Sequence, residues 1–418
     1  MNGSAPIITP MPGTDWMSDA TAANINTPAT SQVDGAQSLE TAKQKAGWFG
    51  VVVARMTGWI GSGIEWCIGA LTLLVTLAAL AVVPVLNLLS LGYLLEASGR
   101  VARSGRIRDG FVGVRKAAVF GRIIMGAWLV LWPARFVSGM WKDAELIALG
   151  SGTAWAWRFG LVLVTVISIW HLSWACLRGG KLRYFLWPAP LRFRKWLRSG
   201  DKLAVAQESV VGRVATLRLR HYFLLGLSGF VGGLAWLILP VGLLVVGAFM
   251  PPAGAALLGL LGGGLLFLVS LYLPFLQALC AAEGGRFGAM FEPRRVRTLF
   301  ANAPIAFWFS LLITLLFALP LYLLKIEFPP RDIAWLPTLL FVVLIFPARL
   351  LTGWAVSRAL RRDRPRHGFW RWTSRLGMLP AVGIYVLIVY LTQYLSWNGA
   401  LSLIEQHAFL VPTPMLSL

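Results

Sequence analysis

YFLLGLSGFVGGLAWLILPVGLLVVGAF, Tyr222–Phe249, and AGAALLGLLGGGLLFLVSLYLPFLQALCAA, Ala253–Ala282, contain no Asp, Glu, Lys or Arg. Each exceeds the roughly 20 apolar residues that cross a hydrocarbon core about 30 Å thick. Lipid offers no partner for a free backbone group, so such stretches must be helical. Six more apolar runs read the same way, at about Cys67–Leu89, Ile123–Val137, Phe159–Leu177, Pro304–Leu324, Trp335–Val356 and Leu376–Leu395. Together they predict an all-α, polytopic integral membrane protein of about eight transmembrane helices.

Composition agrees. The 418 residues have a mean hydropathy of +0.70 and only 13% charged side chains, against roughly 25% in soluble domains. The net charge is +21. Nucleic-acid binding could use such a charge, but the arginines border apolar runs instead of sharing one polar face. Of the 38 basic residues, 29 fall in segments 96–122, 178–221, 283–302 and 358–375. These are alternate connections between the eight runs. The connections opposite them are poor in charge: 138–158 holds Lys142 and Arg158, and 325–334 holds Lys325 and Arg331. Basic loops face the cytoplasm, which places both termini outside.

The expected organisation is a disordered polar tail at residues 1–45 and an interfacial segment at 46–66. A first membrane half at 67–221 with basic cytoplasmic loops and a second at 222–395 come next. A short external tail closes the chain at 396–418. The tail at 1–45 lacks apolar periodicity. The 20 tryptophans cluster near span ends (Trp128, Trp132, Trp155, Trp157, Trp170, Trp174, Trp370, Trp372), as an interfacial belt does.

Two echoes run through the sequence. Val83-Pro84-Val85-Leu86-Asn87-Leu88-Leu89 resembles Leu273-Pro274-Phe275-Leu276-Gln277-Ala278-Leu279, an offset of 190 residues. Four spans separate the copies, so a parallel four-plus-four repeat is one reading. Trp132-Pro133-Ala134-Arg135 resembles Phe346-Pro347-Ala348-Arg349, each followed by two apolar residues and then Ser138-Gly139 or Thr352-Gly353. These sit on oppositely directed spans and read as two separate Pro-kinked helix ends.

No catalytic or metal motif stands out. Cys67, Cys176 and Cys280 are far apart and read as buried small apolar side chains. His171, inside a span, has no ligand-spaced companion. No expected span centre carries an acid, which weighs against ion coupling. The candidates are intramembrane polar residues: Asn87 and Gln277 as helix-bridging or substrate-contacting amides, and Arg135 and Arg349 as the basic residues inside spans. Both arginines lie near span ends, where snorkelling relieves their burial. Gly229 with Gly233, and Gly259 with Gly263, have close-packing spacing. In segment 178–221, Arg183, Arg192, Arg194, Lys195 and Arg198 alternate with apolar and aromatic residues. That pattern is read as contacting anionic headgroups.

Pro84-Val85-Leu86-Asn87-Leu88-Leu89-Ser90-Leu91-Gly92-Tyr93 resembles the signature of a family of bacterial membrane proteins, a domain of unknown function with Pro-x-x-Asn-x-x-x-x-Gly-Tyr after its first helix. This chain follows the motif with a basic instead of an acidic loop. The resemblance implies a bacterial cytoplasmic membrane and no particular activity. The functional expectation is a non-enzymatic scaffold, or a component that contacts lipids, partner membrane proteins or a second copy of itself. It needs no cofactor or metal and binds no nucleic acid. The alternative is a secondary transporter with a substrate path between the two halves.

Overall fold

The computed structural model describes residues 62–190, 193, 218–323, 335–395 and 399–405. The expected tail at 1–45, most of segment 46–66, the residues after 405, and Arg192, Arg194, Lys195 and Arg198 lie outside them. A boundary in the chain falls between Ser62 and Gly63. The helical bundle is the second of the two units it separates, Gly63–Leu418.

The described residues are helical, with no strand among them. In chain order the helices are α1 Ser62–Val82, α2 Asn87–Ser104, α3 Val114–Ile147, α4 Gly152–Leu177, α5 Leu182–Leu186, α6 Leu219–Ala248, α7 Pro252–Ala282, α8 Pro293–Asn302, α9 Pro304–Leu323, α10 Trp335–Leu360, α11 Gly368–Leu395 and α12 Ser402–Glu405. Seven are long and apolar enough to cross a membrane: α1, α3, α4, α6, α7, α10 and α11. An eighth span results if α8 and α9 count as one, but they meet at 115°. The bend falls at Ala303-Pro304, where proline's missing N–H and restricted predecessor end a helix. The fold is thus all-α and polytopic, as the apolar runs predict.

Helix ends depart from expectation in several places. The second span starts at Val114 and ends at Ile147, well beyond Ile123–Val137. The last begins at Gly368 instead of Leu376. At 399–405 the chain folds back, and Leu403 is fully buried. Cys67 is exposed, not buried as expected; Cys176 is half-buried and Cys280 buried.

The main correction concerns segment 96–122, expected as a basic loop. Its first part belongs to α2, a helix buried along most of its length. Pro84 ends α1, and Val85 takes a left-handed φ of 71° at the break. The chain restarts as α2 and stops at Gly105, whose φ of 71° lets its N–H donate to the Val101 carbonyl at 2.7 Å, a common left-handed helix stop. α2 packs against α6, α7 and α10, all from later in the chain. Its small residues permit this. A methyl group on Gly92 would overlap the Tyr222 carbonyl of α6, and one on Gly226 would overlap the Leu88 carbonyl. The two helices therefore cross backbone on backbone, as small residues allow between membrane helices.

α3 and α4 form a hairpin that packs mainly on itself and on α5. It touches α1 where Gly69 meets Val114 and Gly121 meets Thr72, and through an Arg122–Glu65 ion pair at 2.9 Å. Phe120, Trp128, Trp132, Phe136 and Phe159 are exposed on it, a surface that suits lipid and not water.

Candidate functional site: the polar core around α2

Two polar clusters hold α2 in place. The first crosses four helices. Arg349 of α10 is buried, and its Nη1 donates to Oε1 of Gln277 on α7. Gln277 Nε2 donates to the Gly229 carbonyl of α6 at 3.4 Å. Thr352 Oγ1 donates to the Arg349 carbonyl at 2.8 Å. It also lies 3.4 Å from Ser98 Oγ on α2. One residue further on, a methyl on Gly353 would overlap the Ser98 backbone. Hydrogen bonds between membrane helices average about 0.6 kcal/mol. A charged donor raises the figure, and bonds to charged groups contribute about 1.5–3 kcal/mol.

The second cluster lies two residues before Ser98. Glu96 accepts from Arg100 Nε at 2.8 Å and Arg103 Nη2 at 3.1 Å. Its other oxygen lies 3.3 Å from His221 Nε2 on α6. Burial alone would raise the Glu96 carboxyl, but the hydrogen bonds from Arg100 and His221 and the nearby guanidinium charges outweigh it. They hold the group below its ordinary value. Arg103 also donates to the Ala281 and Ala282 carbonyls at 2.8 and 3.1 Å. It thereby caps α7, where a cation is favoured by the helix dipole. Tyr93 closes the other side by donating to the Val112 carbonyl at 2.9 Å.

The expected site residues therefore separate. Gln277 and Arg349 come together at the centre of the bundle. Asn87 is buried in the first turn of α2 and joins neither cluster among the described hydrogen bonds. Arg135 is exposed on α3, beside a shallow cavity that it lines with Leu131, Ser138 and Lys142. Arg183 is exposed on α5, 3.2 Å from the Tyr184 hydroxyl. For Arg349 the snorkelling reading is overturned: the side chain points into the bundle, because Gln277 offers an acceptor there. Of the glycine pairs, Gly229 sits against Leu95 of α2, while Gly259 and Gly263 make ordinary contacts with Tyr390 and Val386 of α11.

Sequence reasoning missed the Glu96 cluster. Its signal was present as Glu96, Arg100 and Arg103 at helical spacing, but inside a segment that reads as a charged loop. His171 Nε2 lies 2.7 Å from the Phe185 carbonyl, which ties α5 to the hairpin. Among the described residues, no three His, Cys, Asp or Glu side chains group as metal ligands. No known family, curated protein or solved structure matches this chain.

Proposed function

We propose that this chain is a non-enzymatic scaffold of a bacterial cytoplasmic membrane. It contacts lipids and partner helices through its outer faces, with both termini outside. The observation that carries this reading is the Arg349–Gln277 pair. It sits among packed helices. It lines neither the cleft beside α8, nor the pocket at Trp354, nor the shallow cavity at Arg135. Its bonds tie helices together instead of presenting polar atoms to a solute. The exposed apolar hairpin α3–α4 supplies an outer face, and the basic segment 178–221, Arg183 included, would rest on anionic headgroups. The Pro84–Tyr93 motif supports the bacterial family reading.

The competing reading is a transporter whose path passes Gln277. Cysteine accessibility separates the two. In a background lacking Cys67, Cys176 and Cys280, Gln277→Cys in native membranes should resist a small water-soluble thiol reagent, as a packed bundle requires. Asp143→Cys should react from outside the cell, and Asp363→Cys only after permeabilisation. Rapid labelling at position 277 would overturn the scaffold in favour of the transporter. Reversed labelling at 143 and 363 would overturn the orientation alone.

A further inference from the structure

A cleft of about 300 Å³ opens between α7, α8, α9 and α11, at the lower end of the volumes that ligand sites occupy. Its floor is aromatic. Phe275 and Phe307 stack at 4.3 Å between ring centroids, with Tyr272 and Trp372 alongside. Two arginines, Arg297 of α8 and Arg375 of α11, line the same cleft and are exposed. Among the described residues neither takes part in an ion pair, and no acidic side chain lines the cleft. Arg295, two residues earlier on α8, differs. It is neutralised by Glu283 and Glu292, while Arg297 faces the cleft uncompensated. The Arg375 guanidinium sits 5.7 Å from the Phe300 ring centroid, which holds its charge at the rim.

α8 is amphipathic: Val296, Leu299 and Phe300 are buried while Arg294, Arg297 and Thr298 are exposed. It meets α9 at 115°. With α9 crossing the bilayer, α8 lies close to the membrane plane, the pose of an interfacial helix. The arginines then stand at headgroup depth and the aromatic floor reaches toward the acyl chains. We propose that this cleft binds one anionic phospholipid, its phosphate between Arg297 and Arg375 and one acyl chain over Phe275 and Phe307. The inference rests on the membrane reading above and adds a defined site to it.

The test uses the full chain, purified in neutral detergent and titrated by native mass spectrometry. Phosphatidylglycerol and phosphatidylcholine with identical acyl chains are compared, with inorganic phosphate as competitor. The expected result is one tightly retained phosphatidylglycerol per chain. Arg297→Gln with Arg375→Gln should weaken it about 25-fold, the product of roughly fivefold for each basic residue near a membrane surface. Phosphatidylcholine binding should not change. Arg294→Gln, on the exposed face of the same helix, should leave both lipids unaffected. Equal binding of the two lipids, an unchanged phosphatidylglycerol affinity in the double variant, or displacement by inorganic phosphate alone would overturn the site. If the chain is instead released from membranes by alkaline carbonate, it is the membrane reading that fails.

Discussion

The two Pro-Ala-Arg motifs have nearly the same sequence and opposite surroundings. They lie inside α3 and α10, not at the helix ends that their sequence suggests. In α3, Trp132 is 58% exposed and Arg135 points outward. In α10, Phe346 and Arg349 are each 3% exposed, and Arg349 bonds Gln277. The glycines that come after them differ as sharply. A methyl on Gly139 meets nothing within 4 Å, whereas one on Gly353 overlaps the Ser98 backbone. The motif itself is therefore neutral equipment. What makes the α10 copy structural is the presence of α2 and α7 on its two sides, and nothing within the motif encodes that.

The glycines offer the largest break in this comparison. Gly353→Ala should force α2 and α10 apart and destabilise the protein by about 3 kcal/mol or more, the upper range for overpacked cores. Gly139→Ala should stabilise it by roughly 0.5–1 kcal/mol through helix propensity. Detergent-solubilised unfolding followed by tryptophan fluorescence reads both, and losses of equal size would dissolve the distinction.

The arginines come next. Arg349→Leu removes the charged donor to the Gln277 carbonyl oxygen and should lose about 1.5–3 kcal/mol, the range for hydrogen bonds to charged groups. Arg135→Leu should stay within about 0.5 kcal/mol, as exposed substitutions do. Matched losses in the same unfolding assay would mean that Arg135, too, is engaged in the folded protein.

The smallest effect sharpens the picture at α2, which is not itself one of the apolar spans. Glu96 is held below its ordinary value of 4.5 in the folded chain. Its contribution is thus complete above that value and fades as pH falls through the lower folded one. Glu96→Gln should cost about 1 kcal/mol at neutral pH. It should also flatten the loss of stability that the unmodified chain shows below about pH 4.5. An identical acid profile in the two proteins would show that Glu96 does not titrate with folding.

The eight apolar runs were legible because hydrocarbon thickness sets a length that composition alone reveals. α2 was not, because Glu96, Arg100 and Arg103 interrupt its hydropathy, and only the folded chain shows that both arginines pair with the one carboxylate. Gln277 and Arg349 were each visible as odd residues in apolar surroundings. Their pairing was not, since 72 residues separate them and helix packing decides which faces meet. Gly92 and Gly226 show the same limit. Each looks like an ordinary membrane glycine until the crossing of α2 and α6 brings one against the other's helix.

The position of α2 also has a consequence for biosynthesis. It leaves the ribosome before α6, α7 and α10, the helices that enclose it. Chains emerge at about 5–20 residues per second, so α2 spends many seconds with its polar groups unaccompanied by their later partners. During that interval Glu96 has Arg100 and Arg103 from its own helix, whereas Ser98 must wait for Thr352. Partners on its own helix are thus within reach of Glu96 before the second half is made. A chain stopped short of α10 would leave the α2 face that packs on α10 uncovered.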